Sequence, residues 1–178
     1  DPEAELPLSG WEFRTSVPAV LESVGVTDVD TVVLTHLHYD HAGGVRSFPG
    51  ARVVVTAAEL DYWTGPDAAR NQREAWLVDK ADLEYVSSVA ELITGDTEIA
   101  PGVSVHPVGG HTAGMMIVRV DPGIVLASDA SHFAENIDTD TPGNILHSMP
   151  GVYRAFDRAR QLADGGPIVP GHDPVVME

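Results

Sequence analysis

The run Thr35-His36-Leu37-His38-Tyr39-Asp40-His41-Ala42-Gly43-Gly44 constrains this chain more than any other stretch. It places three histidines and one carboxylate within six positions, directly after the apolar Thr31-Val32-Val33-Leu34. That pattern predicts a buried strand whose C-terminal end opens into a tight loop closed by glycine. Side chains two apart on a strand point the same way, so His36 and His38 share a face. A bend after Tyr39 turns Asp40 and His41 toward a neighbouring position. Imidazole with carboxylate suits zinc, manganese or iron, and four donors this close point to more than one ion.

Three further segments end apolar runs beside glycine or a turn and carry the same donor types. They are Gly109-Gly110-His111-Thr112-Ala113-Gly114, Val125-Leu126-Ala127-Ser128-Asp129-Ala130-Ser131-His132 and Ile168-Val169-Pro170-Gly171-His172-Asp173-Pro174. Strand ends suit metal ligands because the sheet holds them rigid while loops leave coordination positions open. Each segment alone is weak. With the first cluster they make a set of five histidines and two aspartates.

In this order, His36-x-His38-x-Asp40-His41, Gly110-His111-Thr112, Asp129 and Gly171-His172 resemble the dinuclear metallohydrolases of the metallo-β-lactamase superfamily. Within it, Ala127-Ser128-Asp129-Ala130-Ser131 with Glu135-Asn136, and Val169-Pro170-Gly171-His172-Asp173-Pro174, are most similar to the N-acyl-homoserine lactonase branch. The resemblance runs from about Thr31 to the C-terminus. It implies an α/β fold, the αββα sandwich of that superfamily, and two divalent metal ions, zinc foremost with manganese, iron or cobalt admissible. His36, His38 and His111 would hold one ion and Asp40, His41 and His172 the other, with Asp129 bridging them. The implied activity is a hydrolase opening the ester ring of a lactone, an N-acyl-homoserine lactone being the favoured substrate. A hydroxide held between the ions would attack, and Asp40 would carry a proton as well as ligate. The same ligands serve a glyoxalase-type thioesterase or a cyclic amide hydrolase. An iron-dependent redox member is the more distant alternative, and His38 argues against it, since the di-iron type generally has Glu there.

Two departures from the family pattern stand out. Where the branch places a tyrosine that polarises the substrate carbonyl, three residues after the bridging aspartate, this chain has His132. A histidine there can donate a hydrogen bond or a proton, or simply form part of the pocket wall. Relatives also place a substantial half-sheet before the histidine-rich loop, whereas Asp1 to Thr15 does not supply several strands. The expectation is one domain over 1–178, with 1–30 as lead-in and 31–178 bearing the site, lacking much of the N-terminal half. A complementary N-terminal polypeptide or a homo-oligomer is the corresponding partner expectation.

Composition narrows the classes. There are no cysteines, which removes family members with a cysteine ligand and any cysteine-rich zinc module. It also fits a reducing, cytoplasmic setting, although a missing N-terminus would hide a removed signal. With 27 acidic and 10 basic residues, the formal charge of −17 opposes nucleic acid and anionic membrane as partners. No apolar run approaches the roughly 20 residues of a membrane span. Neither a Gly-x-Ser-x-Gly elbow nor a phosphate-cradling Gly-x-x-x-x-Gly-Lys is present.

Hydrophobic periodicity predicts short helices over Val17 to Val24 and Ala57 to Trp63, and strands over Ala51 to Thr56, Val103 to Val108, Met115 to Val120 and Ile124 to Ala127. Asp121-Pro122-Gly123 should turn between the last two strands. Asp67 to Asp79 reads as amphipathic, with Ala68, Ala75, Trp76 and Leu77 as its apolar contacts. Pro150 to Leu162 reads as a helix that buries Val152, Phe156, Ala159 and Leu162 and leaves Arg158 and Arg160 solvated. Tyr39, Tyr62, Trp63, Met115, Met116, Phe133 and Ile145 are candidates for an acyl-chain pocket, ordinary core being the competing assignment. His106 reads as structural, and His147 receives no role.

Overall fold

The computed structural model describes residues 15–177, so the lead-in through Arg14 lies outside the described residues. Its helices are α1 (Val17–Ser23), α2 (Tyr39–Ala42), α3 (Ala57–Thr64), α4 (Pro66–Arg70), α5 (Lys80–Val89), α6 (Ala134–Asp138) and α7 (Met149–Ala163). Strands β1 (Thr31–Val33), β2 (Arg52–Thr56) and β3 (Ala90–Ile93) form one parallel sheet in that order. A second sheet runs β4 (Thr97–Ala100), β5 (Val103–Pro107), β6 (Met116–Val120), β7 (Ile124–Ser128) and β8 (Ile168–Pro170). Its pairs are antiparallel except the last, where β8 lies parallel to β7.

Strand alternation sorts the apolar side chains into three cores. Val54 packs between the sheets with Ile93, Val105, Met116 and Val118. Its neighbours Val53 and Val55 belong to the outer core with Leu60, Trp63 and Val86. Likewise Met115 and Ile117, alternating with Met116 and Val118, pack against Val152, Phe156 and Ala159 of α7. The layers are helix, sheet, sheet, helix, as the resemblance implies.

The amphipathic stretch Asp67 to Asp79 is not one continuous element. α4 stops at Arg70, a 3-10 turn covers Ala75–Leu77, and a new helix begins at Lys80. Asn71 ends α4, its side chain spent on Tyr62 Oη and Glu74 instead of continuing the helix. Ala68 and Leu77 are buried as expected, but Ala75 and Trp76 are exposed. Asp79 caps α5 by accepting from the backbone N–H of Ala81 at 2.8 Å and Asp82 at 3.0 Å. Asp79→Ala should therefore cost about 1 kcal/mol, read as a lowered urea midpoint at unchanged slope. Helix α5 and strands β3 and β4 lack a period long enough to be found beforehand.

Arg158 and Arg160 are not simply solvated. Arg158 binds Asp96 beside His106, while Arg160 donates to the Ile137 carbonyl and to Asp140. His106 is structural as expected, buried with Nδ1 3.0 Å from Asp96 and Nε2 2.9 Å from the Ser104 hydroxyl.

Candidate metal centre

β1 ends at Val33, so His36 and His38 stand on the loop beyond it. His38 is the N-cap residue of α2, with φ −64° and ψ 149°. The chain turns there, and Asp40 and His41 enter the helix facing a different direction. β7 ends at Ser128 in the left-handed region, φ 47°, which carries Asp129 into the gap between the sheets' ends. The β5–β6 loop brings His111, and β8 delivers His172. All seven expected donors converge, and His132 joins them.

Among the described residues three groups of donor atoms form, each with every member within 4.8 Å of the others. They are His36, His38 and His111; Asp40, His41, Asp129 and His172; and His111, Asp129 and His132. Two ligands about 2.0–2.1 Å from one ion at tetrahedral angles stand roughly 3.3 Å apart. The spacings here match: His111 Nε2 to His38 Nδ1 3.0 Å, His41 Nε2 to Asp129 Oδ1 3.2 Å, His172 Nε2 to Asp129 Oδ1 3.1 Å. Asp40 Oδ2 lies 3.6 Å from both His41 Nε2 and His172 Nε2. The Asp129 carboxylate divides between the groups. Its Oδ1 lies 3.2 Å from His41 and 3.1 Å from His172, and its Oδ2 lies 3.3 Å from His172 and His132, 3.5 Å from His111 and 4.0 Å from His36.

The chemistry of these atoms fits divalent cations. His36 Nε2, His41 Nε2 and Asp129 Oδ1 are buried polar atoms without a hydrogen-bond partner. Although His41 Nε2 and Asp129 Oδ1 approach to 3.2 Å, they do not align as a hydrogen bond. Such orphans are costly unless something else satisfies them, and an ion among them would. Burial, assisted by the neighbouring imidazoles, lowers His36 well below its ordinary value. Burial also lowers His38 to about 4 and His111 to about 3, despite the opposing pull of Asp129. These three imidazoles are therefore neutral at pH 7, with lone pairs free to ligate. Burial acts against His41 and Asp129 too, yet here the mutual contacts win. Asp129 and Asp40 raise His41, and contacts with His132 and His41 hold Asp129 far below the usual carboxylate range.

Outer partners fix which ring nitrogen faces inward. His111 Nδ1 donates to the Ile145 carbonyl at 2.8 Å, which leaves Nε2 as the donor to an ion. Thr35 Oγ1 contacts His36 Nδ1 at 3.2 Å and Ser128 Oγ at 3.0 Å, and Ser128 reaches His41 Nδ1 at 3.4 Å. Gly171 has no alternative: a Cβ there would stand 2.4 Å from Asp129 Oδ1.

Glu59 was missed by sequence reasoning. Its side chain is wholly buried and accepts four hydrogen bonds, from Leu37 N, Trp63 Nε1, Thr112 Oγ1 and Gly114 N. It thus ties the His36–His38 loop to the His111 loop. Its one sequence signal, Thr56-x-x-Glu59, reads only as a helix start, and Thr56 does cap α3. His147, left without a role, positions the same loop through its backbone N–H, which lies 2.9 Å from the Gly110 and His111 carbonyls. Of the proposed pocket residues, Met115, Met116 and Trp63 are core. Phe133 and Ile145 are exposed and adjoin His132 and the His111 partner carbonyl.

A parallel sheet and a mainly antiparallel one, faced by helices and joined at one end by this donor set, define a metallo-β-lactamase-type metalloprotein. Residues 6–172 match the model of the metallo-beta-lactamase superfamily, and the chain belongs to that superfamily. It is 32% identical over 176 residues to N-acyl homoserine lactonase AiiB of Agrobacterium fabrum, covering 89% of this chain and 62% of that one. It is 33% identical over 162 residues to AiiB of Rhizobium rhizogenes, covering 82% and 57%. Among solved structures, AidC, a dizinc quorum-quenching lactonase in complex with a product, superposes with TM-score 0.75 at 19% identity, covering 92% of this chain and 65% of that one. A mutant of B. thuringiensis AiiA with N-decanoyl-L-homoserine bound gives TM-score 0.73 at 23% identity, covering 89% and 62%. These structural likenesses establish the fold. The chain spans 62% and 57% of the lengths of the two AiiB relatives.

Proposed function

We propose that the chain carries the catalytic centre of a dinuclear metal-dependent lactonase, with an N-acyl-homoserine lactone as substrate and zinc as the leading metal. The observation that carries this reading is Asp129 standing among Asp40, His41 and His172 while lying 3.5 Å from His111 and 4.0 Å from His36, with His36 Nε2, His41 Nε2 and Asp129 Oδ1 buried and orphaned. The names of the AiiB relatives point to the substrate class. His36, His38 and His111 would hold one ion, Asp40, His41 and His172 the other, with Asp129 spanning both.

Bound there, divalent ions supply Lewis acidity, lowering the pKa of water and polarising a carbonyl oxygen. The chain's own residues do the rest. Neutral, buried imidazoles and the ionised Asp129 give the centre a fixed geometry that needs little reorganisation during reaction. Asp40 is the carboxylate of the set with open access to solvent, its side chain one-third exposed, so it can take a proton and return it to a leaving alkoxide. The exposed Phe133 and Ile145 offer apolar surface for an acyl chain beside the centre. Ring opening creates one carboxylic acid per turnover. Acid release from a panel of acyl-homoserine and simple γ- and δ-lactones should be metal-dependent and vanish on chelation. Hydrolysis of thioesters but of no lactone would replace this reading with the glyoxalase-type one.

His172→Ala should leave the first ion bound and lower metal content by one equivalent, measured by elemental analysis. His172 belongs only to the second donor group and is the more exposed side of it.

Among the described residues no helix is long and apolar enough to cross a membrane.

A further inference from the structure

We infer that His132 is a direct metal ligand, forming with His111 and Asp129 a further coordination position beside the first ion. This rests on the metal-centre reading above and deepens it. The sequence left this residue two roles, donating to the substrate as the branch's tyrosine does or forming part of the pocket wall; the geometry points to a third. His132 Nε2 lies 3.3 Å from Asp129 Oδ2, the oxygen that is also 3.5 Å from His111, 4.0 Å from His36 and 3.3 Å from His172. That separation is the ligand-to-ligand edge expected around a small divalent ion, roughly 3.3 Å. His132, His111 and Asp129 satisfy the same proximity condition as the other two donor groups.

The ring is held in this aim from two sides. It stacks on His172 with centroids 5.5 Å apart and planes inclined by 25°, and it meets His111 edge-on at 5.0 Å. On its other edge lies Gly143, where a Cβ would stand 2.8 Å from His132 Nδ1 and 3.1 Å from Cε1. Only a glycine leaves the imidazole room to lie as it does. The backbone of the segment also serves the second group, because the His132 carbonyl accepts from His172 N–H at 2.8 Å. A tyrosine has no nitrogen lone pair, so histidine gives this position a metal donor of a kind that the branch's tyrosine lacks.

The test uses the full chain with isotopically labelled histidine, titrated with zinc and followed through the ring-nitrogen resonances. His132→Gln assigns the His132 signals. The expected result is that His132 Nε2 moves to the metal-bound position together with His36, His38 and His111. In Gly143→Ala the added methyl should displace the ring and abolish the His132 shift while the other three persist. Metal affinity in His132→Ala should fall by more than the roughly 100-fold ceiling for losing an outer partner. A His132 ring that stays unligated while the other histidines shift overturns this inference alone. If no histidine of the cluster shifts, the metal-centre reading itself fails.

Discussion

Asp129→Ala is expected to strip the protein of both ions and remove detectable lactone hydrolysis. Asp129 belongs to two of the donor groups, with Oδ1 near His41, Oδ2 near His36, His111 and His132, and His172 close to both oxygens. Losing it takes a ligand from each ion at once. It also removes, among the described residues, the one buried carboxylate in contact with five imidazoles, so two dications would face neutral rings with Asp40 to balance them. The fall in kcat/KM should exceed the roughly 10²–10³-fold cost of deleting one preorganised electrostatic donor. Elemental analysis and acid-release kinetics check it together. Retention of two tightly bound ions in Asp129→Ala would refute the bridging assignment.

Glu59→Gln is expected to destabilise the fold by about 2–4 kcal/mol and to weaken metal binding by roughly 10–100-fold, though Glu59 touches no ion. Its carboxylate accepts from three N–H groups and one hydroxyl in a site closed to water. An amide can satisfy two of them at most through its oxygen, and its NH₂ group must then point at a donor. The Gly114 N–H, 2.8 Å from Oε2, has no way to reverse its role, whereas the Thr112 hydroxyl can rotate. Urea unfolding of metal-loaded and metal-free protein separates the two effects. An unchanged midpoint in both states would show that the clamp contributes nothing.

Much of the centre was legible in the linear chain because metal ligation demands particular atoms. His36, His38, Asp40, His41, His111, Asp129 and His172 have few other reasons to recur beside strand ends, and all seven converge. Strands β2, β5, β6 and β7 and helix α7 were visible through clean alternation or a long apolar stripe. The amphipathic stretch Asp67 to Asp79 is divided, because its apolar spacing continues across Asn71 while the helix does not. Arg158 and Arg160 do reach solvent, but their partners were not legible, because Asp96, Ile137 and Asp140 come from distant segments.

Local pattern by itself determined where the candidate donors sit along the chain and which strands they follow, since donor type, glycine and alternation are properties of neighbours in sequence. Tertiary structure alone decided the rest. Glu59 looks like any first-turn helix glutamate until two loops close over it. His132 looks like a substitute for tyrosine until His172 stacks against it and Gly143 makes room for its ring. Both roles depend on groups brought together from remote parts of the chain, and only packing sets a distance between such groups.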